Sequence, residues 1–391
     1  MPRLASTLLR RAYASDPLLL LLLRECRDLD SARNELRWLR EHVHSLSKAN
    51  ACDDAWRQRQ LKSMVRDRAR GMPLQYILGD QPFGELDILC RKGVLIPRPE
   101  TESYTFRTAR LILSELRMGS SSPAPIRILD LCTGTGCIPL LLHSLLASSI
   151  PDLALVGIDI SRKALSLARE NLEYNISQNH LLARARQDIS FLQANVLRDE
   201  KAELVKREGD AIPSLQAVLA DFESAADIRN SRKDLRGQWD VLISNPPYIS
   251  PVDFCNGTTR RSVRLHEPTL ALVPPPLASP QTLETHKSEY DENAMITAQQ
   301  DSFYPRLLDI SDFIGAKLTV LECGDPAQAR RIVDLVVRRN ASYPPARGLE
   351  ARIWKCDHFG SDDMFASTEK HTDDEEDGGA RAVVIYRNRD I

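Results

Sequence analysis

Asn245-Pro246-Pro247-Tyr248 brings together residue types that could seat a planar group carrying an NH2. It follows Trp239-Asp240-Val241-Leu242-Ile243-Ser244, an apolar run that predicts a buried β-strand. An asparagine at a strand end offers a side-chain carbonyl as acceptor. Two prolines fix the backbone and remove two amide donors, so the local carbonyls stay free to accept. A ring follows at once. The chemistry this suits is attack by an amide or amine nitrogen whose two hydrogens are held by two acceptors. A strand that merely stops at two prolines, with Asn capping a turn, would carry the same residues, so the corner needs a second half.

That half lies upstream. Ile126-Arg127-Ile128-Leu129-Asp130-Leu131 reads as a short strand, Gly134 and Gly136 as a tight turn, and Ile138-Pro139-Leu140 as the opening of a helix. Pro139 is tolerable there because first-turn amides have no helical acceptor. Strand, glycine turn and helix begin a nucleotide-binding βαβ unit. A second strand over 153–158 ends in Asp159, ~23 residues past Gly136 and near the spacing expected of a carboxylate that accepts from ribose hydroxyls. Ser161 can cap the next helix, through Ala164, Leu165, Leu167, Ala168 and Leu172. A third strand over 189–194 ends in Asn195.

Asp130-Leu131-Cys132-Thr133-Gly134-Thr135-Gly136 lacks the third glycine of the dinucleotide fingerprint, and no Lys-Ser/Thr follows as in a phosphate loop. An acid before the turn suits a ligand with a positive centre and an amino-acid group better than a pyrophosphate. S-adenosylmethionine has both, and is the cofactor expected.

These residues resemble the HemK/PrmC protein-(glutamine-N5) methyltransferases, which methylate the glutamine of the Gly-Gly-Gln motif of peptide-chain release factors. The likeness covers most of residues 60–330. It includes Gly71-Met72-Pro73-Leu74-Gln75-Tyr76 and the family-specific Pro97-Arg98-Pro99-Glu100-Thr101-Glu102. It continues through the glycine turn and the Asn245 corner to Glu267-Pro268, Phe303-Tyr304, Leu321-Glu322-Cys323-Gly324 and Gln328. By the resemblance, Asp130, Thr133, Gly134, Thr135 and Gly136 line the cofactor and Asp159 holds its ribose. Asn195 stands where the family usually has an acid near the adenine, and Val196 where an aromatic is frequent. Asn245 meets both cofactor and substrate. Asn245, Pro246 and Tyr248 are the expected catalytic residues. These three, with Pro247, Arg98 and Glu100, form the expected substrate site. The Asn245 oxygen and the Pro246 carbonyl would each accept one N–H, and Tyr248 would pack on the amide plane. The segment around Arg98 would otherwise read as a salt-bridged linker.

The fold expected is α/β: a class I S-adenosylmethionine-dependent methyltransferase, with a Rossmann-like doubly wound sheet, a late antiparallel strand over 381–386 beside 318–322, and an N-terminal helical bundle. The bundle reading rests on Leu29, Leu36, Leu39 and Val43 at helical spacing, with Trp38 and Trp56 adding bulk. The expected organisation is a transit segment over 1–15, the bundle over 16–85, a linker or hairpin over 86–102, with a hairpin possible over 83–96, and the catalytic domain over 103–391. Insertions are expected over about 199–237 (helical near 212–222), 274–293 and 357–380, the last with the acidic run Asp373-Asp374-Glu375-Glu376-Asp377.

The chain of 391 residues is long enough for two domains, and a formal charge of −2 gives no global pull toward nucleic acid. Eight cysteines without a C-x-x-C pair point to neither a zinc site nor a disulfide framework, so no metal is expected. The first fifteen residues carry Arg3, Arg10 and Arg11 and no acid, which resembles a mitochondrial transit peptide. A matrix enzyme is therefore expected, with the cytoplasm as alternative. The apolar run 18–23 is far short of the ~20 residues needed to span a bilayer. The partner expected is a release factor, met by a monomer with no membrane and no stable nucleic acid. The rivals are methylation of an adenine amino group in nucleic acid, and a non-catalytic binding protein that retains the fold.

Overall fold

The computed structural model describes residues 3–116, 125–198, 212–230, 238–277, 292–342, 348–355 and 380–387. The expected insertions fall largely outside these, as does the whole acidic run 373–377. What is described of the first is a helix, Leu215–Asn230. The segment expected as a loop over 274–293 ends in the helix Glu292–Gln300.

The chain forms two compact units. One takes residues 1–81, 89–96 and 255–268; the other takes 82–88, 97–254 and 269–391. The first is helical: α1 (Ser6–Ser15), α2 (Leu19–Cys26), α3 (Leu29–Ala49), α4 (Asp54–Ala69) and α5 (Leu74–Leu78). Asp28 and Asp53 cap α3 and α4, accepting from the amides of Ser31 at 2.8 Å and Trp56 at 2.7 Å. Leu29, Ala32, Leu36, Leu39 and Val43 line one buried face of α3, as their spacing predicts. Trp38 does not add bulk to that core; it falls on the opposite face, 42% exposed, with Arg37 over its ring. In the same unit the buried Glu267 accepts from the amide of Ile96 at 3.1 Å, and Arg261 pairs with Glu25 at 3.0 Å. These contacts explain why 255–268 belongs with the helices.

The expected hairpin forms earlier than its sequence placement. It pairs β1 (Asp80–Phe83) with β2 (Leu86–Leu89), because Gly84, at φ +59°, supplies the turn.

Among the described residues, the second unit is built on a sheet of seven strands. They are β3 (Ile126–Leu131), β4 (Leu153–Asp159), β5 (Ile189–Gln193), β6 (Val241–Ser244), β7 (Leu318–Glu322), β8 (Leu349–Lys355) and β9 (Ala380–Arg387), in the order β5-β4-β3-β6-β7-β9-β8. The first five are parallel; β9 runs antiparallel to β7 and to β8. This is the doubly wound sheet expected, with its late antiparallel strand. β6 and β7 are buried at every residue, as a parallel sheet covered on both faces requires. Ile128, Val241 and Val320 enter one core, and Leu129, Leu242 and Leu321 the other, by strand alternation. β8 is an addition to the sequence expectation. Its Glu350, Arg352 and Lys355 give it the polar character of a sheet edge.

Helix α6 (Pro99–Leu111) begins with Pro99, preceded by Arg98 in an extended conformation. Glu100 and Glu102 lie in its first turn, where the helix dipole favours acids. Helix α7 (Cys137–Leu146) follows the glycine turn, and α8 (Arg162–Ser177) is capped by Ser161, whose hydroxyl accepts from the Ala164 amide at 3.3 Å. Among the described residues no helix is long and apolar enough to cross a membrane, and no cluster of His, Cys, Asp and Glu could hold a metal ion.

Candidate active site

The chain runs from β3 outward to β5, then returns to β6 on the other side of β3. Ligands of such sheets bind at the carboxyl ends of the strands, at this switch point. Every polar strand end singled out in the sequence lies along that row. Leu131 pairs with both Ile158 and Ser244, so the glycine turn, Asp159 and Asn245 leave from three adjacent strands. The Ser244 hydroxyl donates to the Leu131 carbonyl at 2.7 Å and ties β6 to β3 at that end.

On the glycine side, Asp159 accepts from the Gly134 amide at 2.9 Å and from the Ser161 amide at 2.8 Å. It thereby holds the turn while keeping lone pairs in reserve. A Cβ on Gly134 would meet nothing within 4 Å, whereas one on Gly136 would come within 2.9 Å of the Phe191 ring. The first glycine faces open space and the second lets helix approach sheet. Cys132 also has φ +64°, in the region that favours glycine. The Thr135 carbonyl accepts from Asn171 at 3.0 Å.

Asp130 is 1% exposed, and among the described residues neither of its carboxylate oxygens has a hydrogen-bond partner; nor does the Thr133 hydroxyl. Burial pushes the Asp130 carboxyl well above the usual carboxylate range, against the pull of the neighbouring Thr133 hydroxyl, and the nearby Asp159 adds like charge. Asp159 is itself pushed up by burial. Two crowded acids with no cation beside them among the described residues fit a ligand that brings positive charge and N–H donors, as the sulfonium and ammonium of S-adenosylmethionine do. Asn195 sits past the end of β5, its side-chain oxygen accepting from the Leu197 amide at 3.0 Å.

The acceptor side is more tightly built. Asn245 Nδ2 donates to Thr101 Oγ1 at 3.2 Å, and Thr101 Oγ1 donates to Glu322 Oε2 at 2.7 Å. The Tyr248 hydroxyl donates to the other oxygen, Glu322 Oε1, at 3.1 Å. Pro246 and Pro247 are buried. The Tyr248 ring lies against Gly324, where a Cβ would come within 3.0 Å of Cδ2. Gln328, fully buried, accepts from the Gly324 amide at 2.8 Å and donates to Asp301 at 2.9 Å. Arg98 and Arg381 lie within electrostatic reach of Tyr248, and Glu100 faces Arg381 at 4.0 Å.

Glu322 and Thr101 are absent from the site expected on the sequence. Glu322 carries the same mark as Asp130 and Asp159, an acid closing an apolar strand. Thr101 carries no mark of its own beyond its place in the segment after Pro97. Burial pushes the Glu322 carboxyl up to about 7, against the pull of the Thr101, Tyr104 and Tyr248 hydroxyls.

Known proteins share this chain's pattern. The family model described as the PrmC N-terminal domain matches residues 21–79. Mitochondrial MRF1 N(5)-glutamine methyltransferase MTQ1 of Saccharomyces cerevisiae is 34% identical over 274 residues, 70% of this chain and 68% of that protein. "Probable MRF1 mitochondrial N(5)-glutamine methyltransferase mtq1" of Schizosaccharomyces pombe is 32% identical over 336 residues, 83% of this chain and 86% of that protein. The release factor glutamine methyltransferase of Chlorobaculum tepidum is 30% identical over 254 residues, 63% of this chain and 70% of that protein. An acid-lined glycine turn, an oriented strand-end asparagine and relatives that match over most of their length lead to one conclusion: the chain belongs to the release factor glutamine methyltransferase family.

Proposed function

We propose that this chain methylates the side-chain amide nitrogen of the glutamine in the Gly-Gly-Gln motif of a peptide-chain release factor. The observation that carries the reading is Asn245, its nitrogen engaged by Thr101, one strand away from the turn that Asp130 and Asp159 line. S-adenosylmethionine supplies an electrophilic methyl group on a sulfonium. Asp130, Thr133, Thr135 and the turn at Gly134 and Gly136 would hold its charged end, Asp159 its ribose, and Asn195 its adenine.

An amide nitrogen is a poor nucleophile, and the corner's task is to orient it. Asn245 Oδ1 and the Pro246 carbonyl each accept one N–H, which fixes the amide plane and raises electron density on nitrogen. Tyr248 packs beside that plane, with Arg98 and Glu100 at the mouth. This is positioning with preorganised electrostatics, each worth several kcal/mol in a dry site. The helical unit takes the release factor, and the working form is a mitochondrial monomer that holds no nucleic acid. The relatives support glutamine over adenine as acceptor and an enzyme over a scaffold.

The test is methyl transfer to a release factor with and without its Gly-Gly-Gln glutamine, read by mass spectrometry. One methyl group on that glutamine is expected, and none on the glutamine-free protein. Asn245→Ala should lower turnover on the order of 10²–10³-fold, while calorimetry shows the cofactor still bound. Methylation that ignores the glutamine would refute the substrate, and near-normal turnover by Asn245→Ala would refute the mechanism.

A further inference from the structure

We propose that Glu322 is a positioning residue whose carboxylate form sets the direction of the hydrogen bonds reaching both ends of the tetrapeptide, and so fixes the Asn245 oxygen toward the acceptor amide and the Tyr248 ring beside it. The inference rests on the reading of this corner as the seat of a glutamine amide.

An asparagine side chain has an oxygen and a nitrogen of similar size, and shape alone does not choose between its two orientations. Here a chain of bonds chooses. A carboxylate accepts and cannot donate, so Glu322 Oε2 obliges the Thr101 hydroxyl to donate to it. With its one proton committed, Thr101 Oγ1 can only accept from Asn245, and it takes Nδ2–H. Oδ1 is left for the substrate. The second carboxylate oxygen accepts from Tyr248, so one group orders both ends of the tetrapeptide. Thr101 is itself buried in the first turn of α6, its carbonyl accepting from Thr105 at 2.6 Å.

A proton on Glu322 reverses one of these bonds. On Oε2 it would donate to Thr101, whose hydroxyl would turn to Asn245. The amide would then turn over and set its NH2 against the substrate's NH2. On Oε1 it would leave the Tyr248 proton without an acceptor. Glu322→Gln imposes the same choice permanently. The protonation change falls in a useful range, because burial raises the carboxyl to about 7. Around it, Tyr104, Tyr248, Tyr304, Cys137 and Cys323 are all pushed up by burial and remain neutral, while Glu100 adds like charge.

The experiment compares full-length wild type, Thr101→Ser, Thr101→Val and Glu322→Gln, with kcat and KM on a release factor from pH 6 to 8 and cofactor affinity by calorimetry. Wild-type kcat should rise about tenfold across that span, following the ionised fraction, with KM steady. Thr101→Ser keeps the hydroxyl and should stay within about threefold of wild type. Thr101→Val and Glu322→Gln should lower kcat on the order of 10–100-fold at unchanged cofactor affinity, and Glu322→Gln should flatten the pH profile. Wild-type turnover by Thr101→Val, or a wild-type pH profile in Glu322→Gln, overturns the proposal. So does loss of cofactor affinity in step with kcat, which would mark a purely structural role. A wild type that leaves the release factor unmethylated defeats the parent reading, and this inference with it.

Discussion

Glu322, Asp130 and Asp159 are carboxyl groups at the ends of three parallel strands, and burial pushes each of them up. A raised carboxyl favours folding while protonated. Its contribution is full below the unfolded value and is lost as pH rises through the folded one, from about 4.5 to about 7 for Glu322. That span corresponds to roughly 3 kcal/mol for one group. Without cofactor, the protein should therefore melt at higher temperature at pH 5.5 than at pH 8, with a weaker dependence in Glu322→Gln. A melting temperature that falls on acidification would contradict this. Stability and turnover thus have opposite pH dependences at this residue. Cys132 makes a second residue-level prediction. At φ +64° a β-branched side chain clashes with its own backbone. Cys132→Val should lose roughly 1–2 kcal/mol relative to Cys132→Gly in denaturant unfolding, and equal stability of the two would count against the strain. The strand-end positions of Asn245, Asp130 and Asp159 were legible because each is a polar residue at the close of an apolar run. Thr101 and Glu322 bond across 221 residues of sequence, and nothing in either segment announces the other.

Among the elements, those carrying the cofactor half followed the sequence closely. β3, its glycine turn, α7, β4 and the Ser161-capped α8 stand where period and capping placed them. The departures have local causes. β8 escaped notice because an edge strand need bury only part of its surface, so its charges hid its alternation. Trp38 looked like core because it is large, yet it lies off the stripe that Leu36, Leu39 and Val43 define. The loop after β7 packs closely against the site. Gly324 leaves room for the Tyr248 ring, which Glu322 holds from the other end. Gly324→Ala should push the ring about half an ångström, lower kcat roughly tenfold and cost about 1–2 kcal/mol of stability, in the range of overpacking. Kinetics indistinguishable from wild type would show that the ring has room to yield.

At the scale of the whole molecule, the linear order of domains gave a poor guide to compactness. Residues 255–268 follow the Asn245 corner in sequence yet pack with the helical unit, through Glu267 and Arg261. No change in composition marks that excursion. The N-terminus has two aspects. Helix α1 exposes Arg10 and Arg11, packs Leu8 and Leu9, and buries Ala12 in the helical core. An arginine-bearing amphipathic helix suits import into mitochondria. Residues 1–15 fused to a fluorescent protein should bring it to mitochondria, and Arg10→Glu with Arg11→Glu should leave it in the cytosol under the microscope. A reporter indifferent to the segment would remove the case for targeting. The sheet order has a consequence for synthesis. β9 is the last of the seven strands in chain order, but it lies between β7 and β8 and is the partner of both. During translation β7, with Glu322 at its end, presents an unpaired edge until residues 380–387 leave the ribosome. The carboxyl end of β7 thus gains its second neighbour only from the latest strand of the sheet, so a chain that stops before residue 380 should lack methyl-transfer activity, and a truncated protein as active as the full chain would contradict this.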